Sequence, residues 1–560
     1  MISGRGLPRQ LLAIVGAVTV GVFAFLLRFN AMGGALNGFD DGEFNKLTRV
    51  DVILAGEQPL RDFTDGQLGG VWPSLTYEYA AAAQRLWGRN LLTHATLTCG
   101  TLAVCAALMF LFVDRAARSW WLALAASLAV VTSYPHLYNY PKVLTLTVGL
   151  VMTWWLLARP TVARLAAAAA WTVAAALFRH DLGVYVAVSC IAGIVACEWR
   201  PWRTPLRRVA SYAGFGLLFS LPSLVWVAYY EGIAAYLADT FSAVGSEGRR
   251  LVSWPVVTVS NLLEPSSVVA AVYYLFWAVI LTTPIVFVAE WATGARLPRR
   301  EKAFGAALAG TTCIVNYFFL RSNLPARFGD AVVPVVALVA WFAGIAPHVW
   351  PSLSGRLLRI AAFVSLAVLC GAFFQINDIN RELQTAGVVE LRRSAAPRGT
   401  WRRIADRYRV VAEELRAQPP AVWTEKPVEG KLAAARFLAE CTDPGDRVLL
   451  ALFGDEIAYY ARRLFAGGQR QFASNVLKSE KDQLLVLKRL KHQSVPVVVT
   501  NADYEGELAA DYPIVARYIE SRYREVGIIN SGGKPLLRVW VETGRAAIRI
   551  DPVLGLPCFK

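Results

Sequence analysis

A multi-spanning α-helical membrane protein of about eleven helices, followed by an extracytoplasmic α/β domain, is the fold class this sequence predicts. Three observations lead there. Of the 560 residues, 56% are hydrophobic and only 18% charged, and the mean hydropathy is +0.41, a balance suited to burial in lipid. Apolar windows near the ~20 residues needed to cross a bilayer recur along the first two thirds of the chain. From about Gln375 onward the composition becomes that of a soluble domain. This divides the chain into residues 1–375, with a large first loop at 28–90, and residues 376–560.

The windows run in order Leu11–Leu27, Leu91–Val113, Trp120–Tyr134, Val143–Leu157, Leu165–Phe178, Leu182–Cys197, Val209–Tyr229, Ser267–Val288, Phe304–Leu320, Ala331–Ile345 and Ile360–Phe374. Basic clusters fix their direction. Arg5 and Arg9, Arg115 and Arg118, Arg159 and Arg164, Arg200 to Arg208, Arg296 to Lys302, and Arg356 with Arg359 all fall on the side shared with the N-terminus. Short loops rich in Lys and Arg stay in the cytoplasm, so the N-terminus is expected inside and the C-terminal domain outside a cell membrane. The net charge of +16 is therefore expected from topology, not from nucleic-acid binding. The 18 Trp and 20 Tyr suit interfacial belts.

Most of the eight cysteines lie in apolar segments, and no CxxC occurs. Cys441 and Cys558, in the polar C-terminal part, are the one pair that could form a disulfide there. Within that part, Arg447–Phe453, Val495–Thr500 and Leu536–Glu542 read as strands, separated by helical segments at Lys431–Cys441, Ile457–Phe465 and Tyr512–Tyr523. Gly467-Gly468 reads as a helix C-cap. No GxGxxG or GxxxxGK[ST] motif is present, which argues against a nucleotide site.

The loop from Arg28 to Asn90 is too long for a simple connection. It opens with Gly38-Phe39-Asp40-Asp41-Gly42-Glu43-Phe44, three carboxylates just past the first span. Ionised carboxylates do not enter hydrocarbon cheaply, so they belong at the surface or in a wet cavity, as general base, metal ligands or cation site. Phe44–Leu54 can form an amphipathic helix lying along the interface. Gly56–Phe63 and Gly69-Gly70-Val71-Trp72-Pro73, with Tyr77, follow.

Over about Gly38–Asn90 the chain resembles the GT-C superfamily of integral-membrane glycosyltransferases, which includes protein mannosyltransferases, aminoarabinose transferases and arabinofuranosyltransferases. Their first outer loop begins with an Asp-Asp or Asp-Glu pair and continues through an interfacial helix and a Gly/Pro/aromatic stretch. The resemblance implies a GT-C-like fold and sugar transfer from a polyprenyl-phosphate carrier to an extracytoplasmic glycan, lipid or protein. It makes Asp40 and Asp41 the candidate bases that deprotonate the acceptor hydroxyl, with Glu43 as the third catalytic candidate. The chain departs from some relatives in reading Gly70-Val71-Trp72-Pro73 where they carry Lys-Pro-Pro, so a phosphate-binding cation must come from elsewhere.

Lys142, Arg179, Arg321 and Arg327 are cations on the predicted outer side, where the positive-inside bias does not call for them. They are the candidates to hold the leaving phosphate. His180, Asp181, Tyr140, Trp72 and Tyr77 are candidates to contact substrate. No cofactor is expected to be required; a divalent cation, if used, would sit at Asp40 and Asp41. The rival readings are a transporter or flippase of lipid-linked sugars, for which broken, repeated helices would be the mark, and a non-catalytic cell-envelope assembly protein.

Overall fold

The computed structural model describes residues 7–32, 39–64, 73–197, 201–248, 256, 264–294, 297–319, 328–349, 353–388, 397–420, 423, 429–452, 454–470, 472, 477–502 and 505–560. These form two compact units that do not follow chain order. One comprises Met1–Met32, Ala95–Ser223 and Gly248–Arg409; the other comprises Gly33–His94, Leu224–Glu247 and Val410–Lys560. The loop after the first apolar window thus shares a unit with the C-terminal domain.

The first unit is helical. Each of the eleven apolar windows falls, over most of its described residues, on a helix: α1 (Leu7–Asn30), α4 (Leu91–Ala117), α5 (Trp120–Thr132), α6 (Tyr140–Ala158), α7 (Val162–Phe178), α8 (His180–Cys197), α9 (Arg203–Tyr230), α11 (Pro265–Thr293), α12 (Arg299–Phe319), α13 (Phe328–Val349) and α14 (Leu353–Ile376), while α10 (Ile233–Gly248) carries none of them. Among the described residues, eight helices are long and apolar enough to cross a membrane. The helices α5 and α7 are apolar but shorter, and α12 is not among the eight. α13 is the hub, packed against α5, α6, α11, α12 and α14, and 89% of its apolar window is buried. Small residues permit close helix approach: a Cβ on Gly149 of α6 would stand 2.7 Å from Val186 of α8.

In the second unit, α2 (Asp41–Leu54) forms over the segment expected to be an amphipathic helix, but between Glu43 and Ile53 it leaves no polar face exposed. Every residue from Glu43 to Ile53 is buried. Its polar positions are internalised because they find partners: Arg49 donates to the Asn45 carbonyl at 3.0 Å, and Asp51 pairs with Arg89. Phe44 meets the rings of Tyr459 and Tyr460 at 5.6 and 5.4 Å. A short helix, α3 (Leu75–Trp87), then packs on α2 and leads into α4.

The α/β part is a five-stranded mixed sheet in the order β2 (Leu464–Phe465), β1 (Arg447–Ala451), β3 (Val497–Asn501), β5 (Lys534–Glu542), β4 (Tyr523–Ser531). The first three strands are parallel, and β5 runs antiparallel to β3 and β4. Leu449 and Val498 face Tyr512, Val515 and Ile519 in the core beneath it. Three strands match the apolar runs in the sequence. The expected helix over Ile457–Phe465 stops at Ala461 and yields to β2, so Gly467-Gly468 follows a strand and is not a helix cap. Both glycines have positive φ, and the Gly468 carbonyl accepts a bond from Thr64 of the outer loop at 3.1 Å. Cys441 and Cys558 form a disulfide that ties the helix Gly430–Cys441 to β7 (Pro557–Cys558).

Candidate functional site

The carboxylates come first. Asp40 is the N-cap of α2: its Oδ1 accepts the amides of Gly42 at 2.7 Å and Glu43 at 3.3 Å. Glu43 Oε2 accepts the Asp40 amide at 3.2 Å, completing a reciprocal capping box. The Asp-x-x-Glu spacing in the sequence dictates this arrangement. Burial pushes the Glu43 carboxyl well above the usual range, and the hydrogen bond to Asp40 adds to the effect. Glu43, expected among the catalytic acids, is therefore a buried capping residue that presents no carboxylate to an acceptor.

Asp41 is different. It opens the first turn of α2 with its side chain 57% exposed. Among the described residues, its one ionic contact is Lys431 Nζ, 3.5 Å from Oδ1. Lys431 stands on the first turn of the helix Gly430–Cys441 and also pairs with Glu456 at 2.8 Å. Glu456 begins the helix Asp455–Ala461, which packs on α2. Burial lowers the affinity of Lys431 for its proton, but Glu456 and Asp41 outweigh that and raise it above the ordinary lysine value. Burial likewise raises Glu456 despite the lysine, and its Oε2 has no hydrogen-bond partner among the described residues. The neighbouring Asp455 pairs with buried Arg470. One lysine thus bridges an exposed carboxylate and a buried one.

A second cluster lies in the helical unit. Lys142, on the first turn of α6, pairs with Asp330 of α13 at 2.5 Å. Arg179 joins Asp181 through two bonds of 2.5 and 2.6 Å, and Tyr185 donates to Asp181 at 3.3 Å. Asp330 is within electrostatic range of Arg179, and Lys142 within range of Asp181. Two cations and two carboxylates make the cluster formally neutral. Lys142 and Arg179, the candidate phosphate ligands, are ion-paired here.

Among the remaining candidates, Tyr140 is fully buried with its ring edge-on to Phe178 at 6.3 Å, so it packs the core and offers no stacking face. His180 is half-buried at the start of α8. Tyr77 is half-buried beneath the Arg49 guanidinium, 5.1 Å from its ring centre. Trp72, Arg321 and Arg327 lie outside the described residues.

The sequence reading missed Lys431, Glu456 and Asp330. Asp330 had a signal, as an acid immediately before an apolar window; Lys431 had none, since Asp41 lies 390 residues away, and Glu456 joins the site only through Lys431. Among the described residues, the only set of three potential metal ligands gathered together is Cys441, Asp551 and Cys558, whose two sulfurs are joined to each other.

No protein-family model and no curated protein matches the sequence. Among solved structures, the chain is similar to ArnT from Cupriavidus metallidurans bound to undecaprenyl phosphate, at 14% identity and a TM-score of 0.48, over 95% of this chain and 98% of that one. It is similar to the same protein in the apo state at 15% identity and a TM-score of 0.47, over 94% and 97% of the two chains.

Proposed function

We propose that the protein is a membrane glycosyltransferase that moves a sugar from a polyprenyl-phosphate carrier to an extracytoplasmic glycan, lipid or protein. The observation that carries this reading is the Asp40-Asp41 pair at the start of α2, one member fixed as a cap and the other exposed beside an ammonium. Asp41 is the general base: its carboxylate takes the acceptor hydroxyl proton as the acceptor oxygen bonds to the anomeric carbon. The bond from that carbon to the carrier phosphate breaks, and the electron pair leaves with the phosphate. Such a displacement inverts the anomeric centre. Asp40 orients the loop through its capping bonds. Lys142 and Arg179, on exchanging Asp330 and Asp181 for the phosphate, take with Arg321 and Arg327 the role of neutralising the leaving group. His180, Asp181, Trp72 and Tyr77 take the role of contacting substrate.

The Cys441–Cys558 disulfide supports an extracytoplasmic C-terminal domain independently of the basic clusters, because disulfides persist in oxidising compartments. The test is transfer of label from a panel of polyprenyl-phosphate sugars by membranes carrying the wild type or Asp41→Asn. Transfer that the variant loses is expected. Wild-type membranes that transfer from no donor would overturn the reading and leave transport or assembly in its place.

A further inference from the structure

We infer a second anion site, separate from the aspartate pair, that takes the phosphate of a membrane-lipid headgroup. In the unit that holds the outer loop, a cavity of about 310 Å³ is lined by Asp51, Leu54, Arg89, Arg462 and Leu464. Arg89 pairs there with the Asp51 carboxylate, and Arg462 lies within electrostatic range of it. Arg89 meets Asp51 through both Nε and Nη2 at 2.6 Å, lies 4.5 Å over the Tyr459 ring, and donates Nη2 to the Tyr459 carbonyl at 3.0 Å. That orientation is fixed before any ligand arrives.

Arg462 is the unexplained member. It is exposed, and its Nη2 donates to Gln418 Oε1 at 3.0 Å, the neutral oxygen that Arg89 Nη1 also approaches at 3.3 Å. Among the described lining residues two cations stand against one carboxylate, which leaves the cavity one formal positive charge. The backbone at Arg462 has φ +53°, a left-handed conformation that glycine or asparagine adopts more readily than a long side chain. The fold therefore keeps an arginine at this cavity against local preference. The Arg462 fork, which among the described residues meets only a neutral amide oxygen, matches the oxygens of a phosphate, and Arg89, held in place by Asp51, adds its charge beside it.

The surroundings identify the ligand's source. Leu86 and Trp87, on the last turn of α3, are 74% and 68% exposed, and α4 begins four residues later at Leu91. Exposed apolar and Trp side chains directly before a span mark the headgroup layer. Arg89 lies between them and the span, which sets the cavity at the depth where lipid phosphates sit. This inference does not rest on the transfer reaction.

The full-length protein in mild detergent is titrated with phosphatidylglycerol and, separately, with inorganic phosphate, and bound anion is counted by native mass spectrometry. Wild type should retain phosphatidylglycerol about tenfold more tightly than Arg462→Gln, the loss of roughly one charged hydrogen bond. Arg462→Lys, which keeps the charge, should recover part of that difference. Binding of inorganic phosphate alone, lost in Arg462→Gln, would keep the anion site and assign it to soluble phosphate. Equal retention of both anions by wild type and Arg462→Gln would overturn the proposal.

Discussion

Replacing Lys431 with Ala tests whether the C-terminal domain takes part in the candidate site. The variant removes the ammonium 2.8 Å from Glu456 and 3.5 Å from Asp41. The Glu456 side chain is 6% exposed and its second oxygen already lacks a partner, so the loss strands a buried carboxylate. Breaking a buried ion pair costs about 3–5 kcal/mol; the lysine side chain is 28% exposed, which places this case near about 3 kcal/mol. The sign with pH follows from Glu456, whose carboxyl stands above its unfolded value because burial outweighs the lysine. A carboxyl raised in the folded state binds more protons there than in the unfolded chain, so its ionisation removes stability as pH rises. Without Lys431 it rises further. The deficit relative to wild type should therefore be small near about pH 4, where Glu456 is protonated in both proteins, and full near about pH 8. Thermal unfolding of the full chain in detergent at both pH values reads this out. Lys431→Ala combined with Glu456→Gln should regain most of the lost midpoint, yet still show altered transfer, because Asp41 has lost the ammonium beside it. A deficit equal at both pH values, or a double variant no more stable than the single one, would refute the stranded-carboxylate argument.

Four further outcomes are expected. Asp41→Asn should lower turnover by about 10²–10⁴ with little change in unfolding midpoint, and Asp40→Asn, which keeps a good capping residue, should leave the fold intact; full activity in both variants would remove the base assignment. Arg179→Ala and Lys142→Ala should raise the donor KM or lower kcat and should also destabilise, since each strands a carboxylate; a charge-neutral double variant, Lys142→Met with Asp330→Leu, separates the two effects by restoring stability alone. Chelation with EDTA should leave transfer largely unchanged, because an ammonium already faces Asp41 where a divalent cation would sit; abolished transfer that Mn²⁺ restores would show otherwise. Single cysteines placed at Ser322 and Thr424 should react with an impermeant thiol reagent in intact cells, and protection of either would overturn the orientation.

Much of this fold is legible because lipid and sheet both write strong patterns. A span needs a long apolar run, and the buried strands Arg447–Ala451 and Val497–Asn501 are nearly continuous Val and Leu. β4 escaped notice because it is an edge strand whose residues are mostly exposed, leaving no apolar run. Its signal was the Gly532-Gly533 pair, both at positive φ, that closes the hairpin to β5. α2 misled for the opposite reason. Its apolar residues fall on one face, but its polar face is buried against partners that sequence spacing does not reveal, such as Arg89, 38 residues beyond Asp51. The same holds for the candidate site. The Asp-Asp-Gly-Glu run announces carboxylates, while the ion pairs that set their charge come from distant segments.

The local run does, however, contain the division of labour between its acids. A helix begins between Asp40 and Asp41, so the two stand on opposite sides of a conformational boundary. Asp40, extended at φ −109°, turns its carboxylate back onto the amides of the first turn. Asp41, already helical, projects away from those amides into solvent. Glu43, at the third helical position, must fold back to close the box, and the chain that follows buries it. Each acid's role is therefore fixed by its offset from the helix start. Shifting that start by one residue would exchange the roles of the two aspartates, because the capping oxygen and the exposed oxygen cannot come from the same position. An Asp40→Ala variant moves the burden of capping and should lower activity through misplacement of Asp41, whereas Asp40→Ser, which still caps, should restore it. Equal loss in Ala and Ser variants would mean that the Asp40 carboxylate itself takes part in the chemistry.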